Sequence, residues 1–574
     1  MSVIKSNGAG DQSTGFYSYS IGQSLRFNDG DSGYLHITPS SAGNRKTWTW
    51  SAWVKLGHIP VDGDVLFAGE VTGSGNFGSQ IRFYDKQIEF LNWESNGGAR
   101  YFQVRTNRLF RDTSAWYHIV VALDTTQSTA GNRVKIYVNG TQETSLSATE
   151  YGSQNDDLGI NNTVKHYLGA GSSAGTVGSY FDGYIAEVNL IDGTALTAAS
   201  FGETTDGIWV SKSSSGLTFG TNGFYLPFDD SSAIGDDESS NTNDLTVVNL
   251  AATDVVLDSP TNNWCTVNPV QTNAAALAEG NLKVTTASGS YGYHGTTFAI
   301  PDSGKWYAEV LIGALNSTNA AVGVSPESEI TETWYNNADG VTYFGQNGNK
   351  YISSETPASY GASFTTDDII GIAVNVDDSE VTFYKNNASQ GALTSENAAG
   401  FFFDAGNDSE SASAVVTWNF GQDSSFAGSE TAQGNADGGG VGDFYYAPPS
   451  GFLALCSKNL SDPEIIDGTE HFNTVLYTGN GTAIGSGGIE VSGVGFQPDW
   501  VWIKSRTNTY DHMLFDSVRG RLKILKANST TAEITSNSEN LDSFDSDGYT
   551  YGSEGSGNEA SDAHIAWNWL AGTA

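Results

Sequence analysis

The sequence predicts an all-β fold of antiparallel sandwiches arranged in series, and three observations lead there. Apolar residues recur at every second position in short runs, as a half-buried strand requires. Asn-Gly and Asp-Gly pairs, which accept positive φ at little cost, punctuate those runs. Helix signals are scarce: charged residues are 16 % of the 574 positions and no long Ala/Leu/Glu/Lys stretch occurs. Aromatics at 12 % provide apolar surface to offset ordering entropy, which argues against disorder. At about 150 residues per domain, the length corresponds to roughly three or four domains.

Taken in order, residues 1–22 form an N-terminal arm and residues 23–212 a first sandwich. Within it, Thr47–Lys55 puts Trp48, Trp50, Ala52 and Val54 on one face, and Arg133–Val138 does the same with Val134, Ile136 and Val138 before Asn139-Gly140. The acidic, Ser-rich run Asp229–Asp244 interrupts the strand pattern and marks a connecting unit, 213–258. A second sandwich follows at 259–425, then a Gly/Ser-rich linker, 426–450, ending in Pro448-Pro449. A smaller β domain occupies 451–574. No repeat of fixed period is present, which excludes a solenoid or propeller.

Charge narrows the function. The balance of 26 Lys+Arg against 65 Asp+Glu gives −39, and such a surface repels phosphates, so no nucleic-acid partner is expected. Two cysteines, Cys265 and Cys456, allow one bridge at most and read better as small core residues. The stretch Met1–Tyr17 has no signal-peptide apolar run, and no segment approaches the ~20 apolar residues of a membrane helix. No membrane insertion is therefore expected, and synthesis in a cytoplasm is.

Ser24–Tyr34, Ser51–Val54, Trp116–Asp124, Lys135–Gly140 and Phe181–Ile191 together make the first unit resemble laminin-G-like domains, which are concanavalin-like jelly rolls. The second unit resembles the SPRY domain at Gly304–Val310, Ala321–Val324, Tyr360–Phe364, Asp367–Val376 and Val381–Lys385. There, Ile370, Ile372, Val374 and Val376 should face the core while Gly371, Ala373 and Asn375 face outward. Both resemblances imply recognition through rim loops. Ser13–Phe27, Phe224–Asp229, Asp258–Asn263, Phe496–Arg506 and Ala566–Gly572 resemble segments of tailed-phage structural proteins, including those of marine phages. That likeness implies a virion-surface protein, a tail fibre or capsid decoration, assembled in the host cytoplasm and released by lysis. Its partners would be other virion proteins and host-surface polysaccharide or protein, with homo-oligomerisation raising effective concentration.

Catalytic patterns are weak, and no enzyme is expected. Glu187 and Asp192 are five residues apart on one strand, hence on opposite faces and poorly placed to share a sugar. Gly171–Gly175 spells G-x-S-x-G and Gly73–Gly78 spells G-x-G-x-x-G, but neither has the following helix its chemistry needs. The eight histidines form no metal-binding pair at helical spacing, and no organic cofactor is implied. Calcium is the one metal with a candidate site: Asp545, Asp547 and Glu554 hold the third, fifth and twelfth positions of an EF-hand-like loop, although Ser543 replaces the first ligand and a solvated hairpin would read the same way. The acids Asp229, Asp230, Asp236 and Asp237 pose the same question.

Two features suit recognition. Trp334-Tyr335 sits in a polar stretch of the SPRY-like unit, where aromatics stack on sugars or anchor a partner, or else pack at the loop base. The stretch Trp500–Lys526 carries Lys504, Arg506, Arg519, Arg521, Lys523 and Lys526 against Asp511 and Asp516, a local +4. It meets either an acidic partner or the seven acids of Ser536–Asp562 through cross-strand pairing. Two rival functions stay open: a tailspike that degrades polysaccharide, and a structural cement between capsid or tail subunits.

Overall fold

The computed structural model describes residues 16–571, apart from 62, 71–77, 94–99, 174, 274, 287–291, 316–319, 331–338, 353–355, 395–397, 408–412, 462–464, 466 and 537–538. The all-β expectation holds: 45 % of the chain is strand and 5 % helix. No helix among the described residues is long and apolar enough to cross a membrane. The chain divides into two compact units, 1–205 with 209–462 and 206–208 with 463–574.

The larger unit holds both sandwiches. In the first, Thr47–Leu56 and Gly183–Asp192 pair antiparallel at the centre of an eight-stranded sheet, with Trp116–Asp124 on one side and Ser24–Phe27 on the other. A second eight-stranded sheet, running from Leu146–Tyr151 to Thr246–Val248, faces it. Alternation works as the period demands: Trp48, Trp50, Ala52 and Val54 enter the core between the sheets, while Trp53 packs on the opposite face with Tyr184 and Ile21.

The stretch 213–258, read from sequence as a connecting unit, is instead part of this sandwich. Phe224–Leu226 pairs with Gly183–Asp192, Thr246–Val248 with Tyr34–Ile37, and Val255–Val256 with Ser24–Phe27. Phe224, Leu226, Phe228, Ile234 and Leu245 join the core. Its acids looked like a wet linker, yet the Asp237 carboxylate is buried and accepts from the backbone N–H groups of Tyr225, Ser239 and Asn243 and the Ser239 hydroxyl.

In the second sandwich Lys305–Leu315 lies between Ile369–Asn375 and Ala414–Asn419 in one sheet, opposite a seven-stranded sheet containing Ala320–Ser325 and Phe402–Asn407. Ile370, Ile372, Val374 and Val376 are in its core. The outward face is covered by the segment expected to be a linker. Within 426–450, Phe426, Val441 and Phe444 are buried, and Phe444 packs against Tyr307 and Ala373. Both Glu309 carboxylate oxygens accept from this strap, Oε1 from Tyr446 N and Oε2 from Tyr445 N. Gly371 is required there, because a Cβ would collide with the Tyr307 hydroxyl. Leu453–Ala454 then pairs parallel with Lys305–Leu315, so the second sandwich continues past residue 450. Cys265 and Cys456 are buried and free.

Buried ions tie the two sandwiches together. Arg26 pairs with Asp254, Glu279 and Asp423, and Lys55 Nζ lies 2.7 Å from Asp258 and 2.8 Å from Asn263 Oδ1. Trp116 Nε1 and the Trp264 backbone N–H also donate to Asp258, at 3.0 and 3.4 Å.

In the smaller unit a six-stranded antiparallel sheet, with Phe472–Thr478, Ala563–Trp569 and Trp500–Ser505 adjacent, packs over the three-stranded sheet of Ile489–Val491, Gly548–Tyr551 and Leu541–Asp545.

Candidate functional site

The site begins with a defect in a strand. Gly183–Asp192 pairs with Thr47–Leu56 in register except between Ala186 and Asn189, where Glu187 adopts φ 53°. This bulge sends the Glu187 carboxyl to the outer face, beneath residues of the N-terminal arm. The Tyr19 hydroxyl donates to Glu187 Oε1 at 2.9 Å, and the Tyr225 hydroxyl donates to Oε2 at 2.8 Å. The two hydroxyl oxygens are 3.0 Å apart. Burial, with the nearby Asp229 charge adding to it, pushes the Glu187 carboxyl up to about 7. Burial and the same carboxylate push the Tyr19 phenol up to about 12 and the Tyr225 phenol further, so both are donors.

On the far side of these rings lies a groove of about 450 Å³, within the ~300–1,000 Å³ range of small-ligand pockets. Tyr19, Phe219 and Tyr225 give it aromatic walls, with Phe219 and Tyr225 stacked at 6.3 Å. Ser213 to Ser215, Ser239 and Ser240 supply hydroxyls, and the exposed carboxylates of Asp229 and Glu238 stand at its rim. Glu187 does not line the groove, since the tyrosines intervene. It is a positioning residue that fixes two aromatic walls.

A pair resembling a nucleophile and base lies close by. Ser51 Oγ is 2.9 Å from His118 Nε2. The Trp209 indole N–H donates to His118 Nδ1 at 3.0 Å, which leaves Nε2 carrying the proton and donating to Ser51. Burial pulls this imidazole down to about 3, so it stays neutral. In that tautomer His118 has no free lone pair for the serine proton, and the pair is a structural hydrogen bond.

Residues 29–200 match the concanavalin A-like lectin/glucanase superfamily. Residues 305–418 match the SPRY domain, and 467–574 match a domain of unknown function. A laminin-G-like domain and a SPRY domain are therefore present, both β-sandwiches of the binding-module kind. Among solved structures the chain is similar to the SPRY domain of human HERC1, at 21 % identity over 26 % of this chain and 96 % of that one, with a TM-score of 0.25. A second human SPRY domain gives 20 % identity over 26 % and 96 %, with a TM-score of 0.22. Stonustoxin gives 15 % identity over 27 % of each chain, with a TM-score of 0.23. A comparison with curated proteins returns no match.

The other residues singled out in the sequence have definite places. Trp334 and Tyr335 lie outside the described residues, as does most of the Gly73–Gly78 motif. Glu187 and Asp192 have separate surroundings: Asp192 accepts from the backbone N–H groups of Asn44 and Asn222 and from Asn161. The G-x-S-x-G stretch forms a small hairpin, Gly171–Ser173 with Thr176–Gly178.

Ser543–Glu554 is also a hairpin, Leu541–Asp545 with Gly548–Tyr551. Its acids are taken: Asp545 accepts from the Thr550 hydroxyl, Asp547 from the N–H groups of Gly493 and Gly495, and Glu554 caps the short helix Gly555–Asn558 through Ser556 N. Among the described residues no three His, Cys, Asp or Glu side chains converge as metal ligands.

In the basic stretch, Arg519 pairs with Asp516 and Glu533, Arg521 with Asp542, Lys523 with Glu533, and Lys526 with Asp511. Among these ion pairs of the described residues, Asp542 is the one acid from the acidic Ser536–Asp562 segment. Lys504 donates to the backbone carbonyls of Ser505 and Asn508, and Arg506 is exposed. The groove itself escaped sequence reading, because its walls come from residues 19 to 240 with no local spacing to announce it.

Proposed function

We propose that this chain is a non-enzymatic glycan-binding protein and that the groove beside Tyr19 and Tyr225 takes one or two uncharged sugar residues. The observation that carries this is the combination of aromatic walls, serine hydroxyls and rim carboxylates in one cavity of about 450 Å³. Sugar rings present C–H faces to aromatics and hydroxyls to polar acceptors, and such a lining serves both. The carboxylates of Asp229 and Glu238 disfavour anionic sugars. A hydrolytic reading lacks its acid: Glu187 has the raised proton affinity a general acid needs, but the tyrosines separate it from any bound glycosidic oxygen.

The finer reading places the protein on a tailed-phage particle, with other virion proteins as neighbours, oligomerisation for avidity, and the host surface as target. The phage-like segments and the acidic surface, which keeps particles dispersed, support it.

A glycan array probed with the full chain tests the binding reading. Saturable binding to neutral glycans should disappear in Ser215→Trp and Ser240→Trp, which plug the groove from exposed positions. Array binding that survives both substitutions overturns it, and release of new reducing ends from a bound glycan restores the hydrolase reading.

A further inference from the structure

We propose a second carbohydrate site, unconnected with the groove: the outer face of the six-stranded sheet in the smaller unit binds an anionic polysaccharide whose uronate or sulfate groups are spaced by uncharged rings. The strand Trp500–Ser505 alternates strictly. Val501, Ile503 and Ser505 are buried, while Trp500, Trp502 and Lys504 lie on the other face, with Arg506 continuing that side just past the strand end. Pairing extends the face sideways into rows. Trp500 is opposite Trp569, which is opposite Phe472; Trp502 is opposite Trp567.

The rings touch across the strands. Trp500 and Trp569 stack at 4.4 Å, Trp502 and Trp567 are 5.1 Å apart, and Phe472 lies 4.8 Å from Trp569. Four of the chain's 14 tryptophans thus gather on one sheet face. Phe472 keeps 39 % and Trp500 36 % of its surface exposed, so the ridge is open to a ligand.

Charge decides the occupant. Six of the chain's 26 basic residues fall within Trp500–Lys526, while the whole carries −39. Four of the six are held by carboxylates, but Lys504 and Arg506 have no ion pair among the described residues. Lys504 lies on the strand that carries Trp500 and Trp502, and Arg506 follows just past its end. At about 3.4 Å per residue, Trp502 and Arg506 are roughly 14 Å apart, so ring-packing and charge-pairing positions follow one another as they do along a sparsely charged glycan. A nucleic acid, with one charge per ~1.7 Å, would bring more charge than two cations can match against an acidic background. Screening beyond ~8 Å at physiological salt lets the local cations act despite the net charge.

The test titrates the full chain with hyaluronate, in which glucuronates alternate with uncharged N-acetylglucosamine rings, and with dextran, an uncharged polymer, following tryptophan fluorescence. Hyaluronate should perturb the emission saturably and dextran should not. Trp502→Ala and, separately, the exposed Arg506→Glu should each weaken hyaluronate binding about tenfold or more, and added salt should weaken it further. Ser215→Trp, which blocks the groove, should leave it intact, so this site and the groove fail separately. Hyaluronate binding unchanged in Arg506→Glu, equal binding of dextran, or a self-association on sedimentation that Trp502→Ala abolishes would each overturn the assignment, the last by giving the face to a second copy of the chain.

Discussion

Replacing Glu187 by glutamine should stabilise the protein at alkaline pH and leave it nearly unchanged in acid. The three short contacts among the Glu187 carboxyl and the Tyr19 and Tyr225 hydroxyls close a ring. A closed ring needs three protons, and the two phenols bring only two. Protonated Glu187 supplies the third by donating to one phenol, which then turns its own proton from the carboxyl to the other hydroxyl, in keeping with the carboxyl's value of about 7. A carboxyl raised in the folded state favours folding fully below its unfolded value, and that contribution is lost as pH climbs through the folded value. Between 4.5 and about 7 the native state therefore gives up on the order of 3 kcal/mol at this buried group. Glutamine reproduces the protonated geometry permanently, its amide N–H donating where the acid proton did. Calorimetry of the full chain, which can separate the transitions of the two compact units, is the assay. At pH 8 the variant's larger unit should melt several degrees above the parent; at pH 5 the two should agree to within about 1 kcal/mol. A difference independent of pH, or a parent more stable at pH 8, would refute the proton count.

Three further outcomes follow from the same packing. Lys55→Met strands the fully buried Asp258 with the Trp116 N–H as its main donor and should cost about 3–5 kcal/mol at neutral pH, much of it recovered in Lys55→Met/Asp258→Asn; a double variant no more stable than the single would count against the buried pair. Phe444→Ala empties the contact between the strap and Tyr307 and should destabilise the larger unit by about 3–5 kcal/mol in denaturant titrations. Chelation with EGTA should leave both melting transitions in place, because Asp545, Asp547 and Glu554 are occupied by hairpin and cap hydrogen bonds.

The strands were legible where burial enforces a period. Trp48, Trp50, Ala52 and Val54, and Ile370 to Val376, stand in the cores that alternation assigns them. What the sequence concealed is how polar segments become buried. The stretches 213–258 and 426–450 read as linkers because Asp, Ser and Gly dominate them, yet Asp237 and Asp437 gather several backbone N–H groups each. Such a carboxylate does the work of a short strand pairing, and composition cannot tell it from a solvated acid. The one or two apolar residues per turn that matter, Phe224 and Phe444 among them, are too few to set a period.

The candidate site was hidden for a related reason. Period-two counting rightly separates Glu187 from Asp192, but it assumes an unbroken strand, and the bulge at Glu187 aims the carboxyl outward to a position only Tyr19 and Tyr225 can satisfy. Those partners are 168 and 38 residues away. Positive φ at a non-glycine residue costs energy that the surrounding pairing must offset. Here the strand pairs normally on both sides of the defect, with Ala186 opposite Trp53 and Asn189 opposite Ser51. A regular strand would leave the two tyrosines without the acceptor that orients them, and the groove would lose two of its aromatic walls. The bulge is thus the structural feature on which the groove depends.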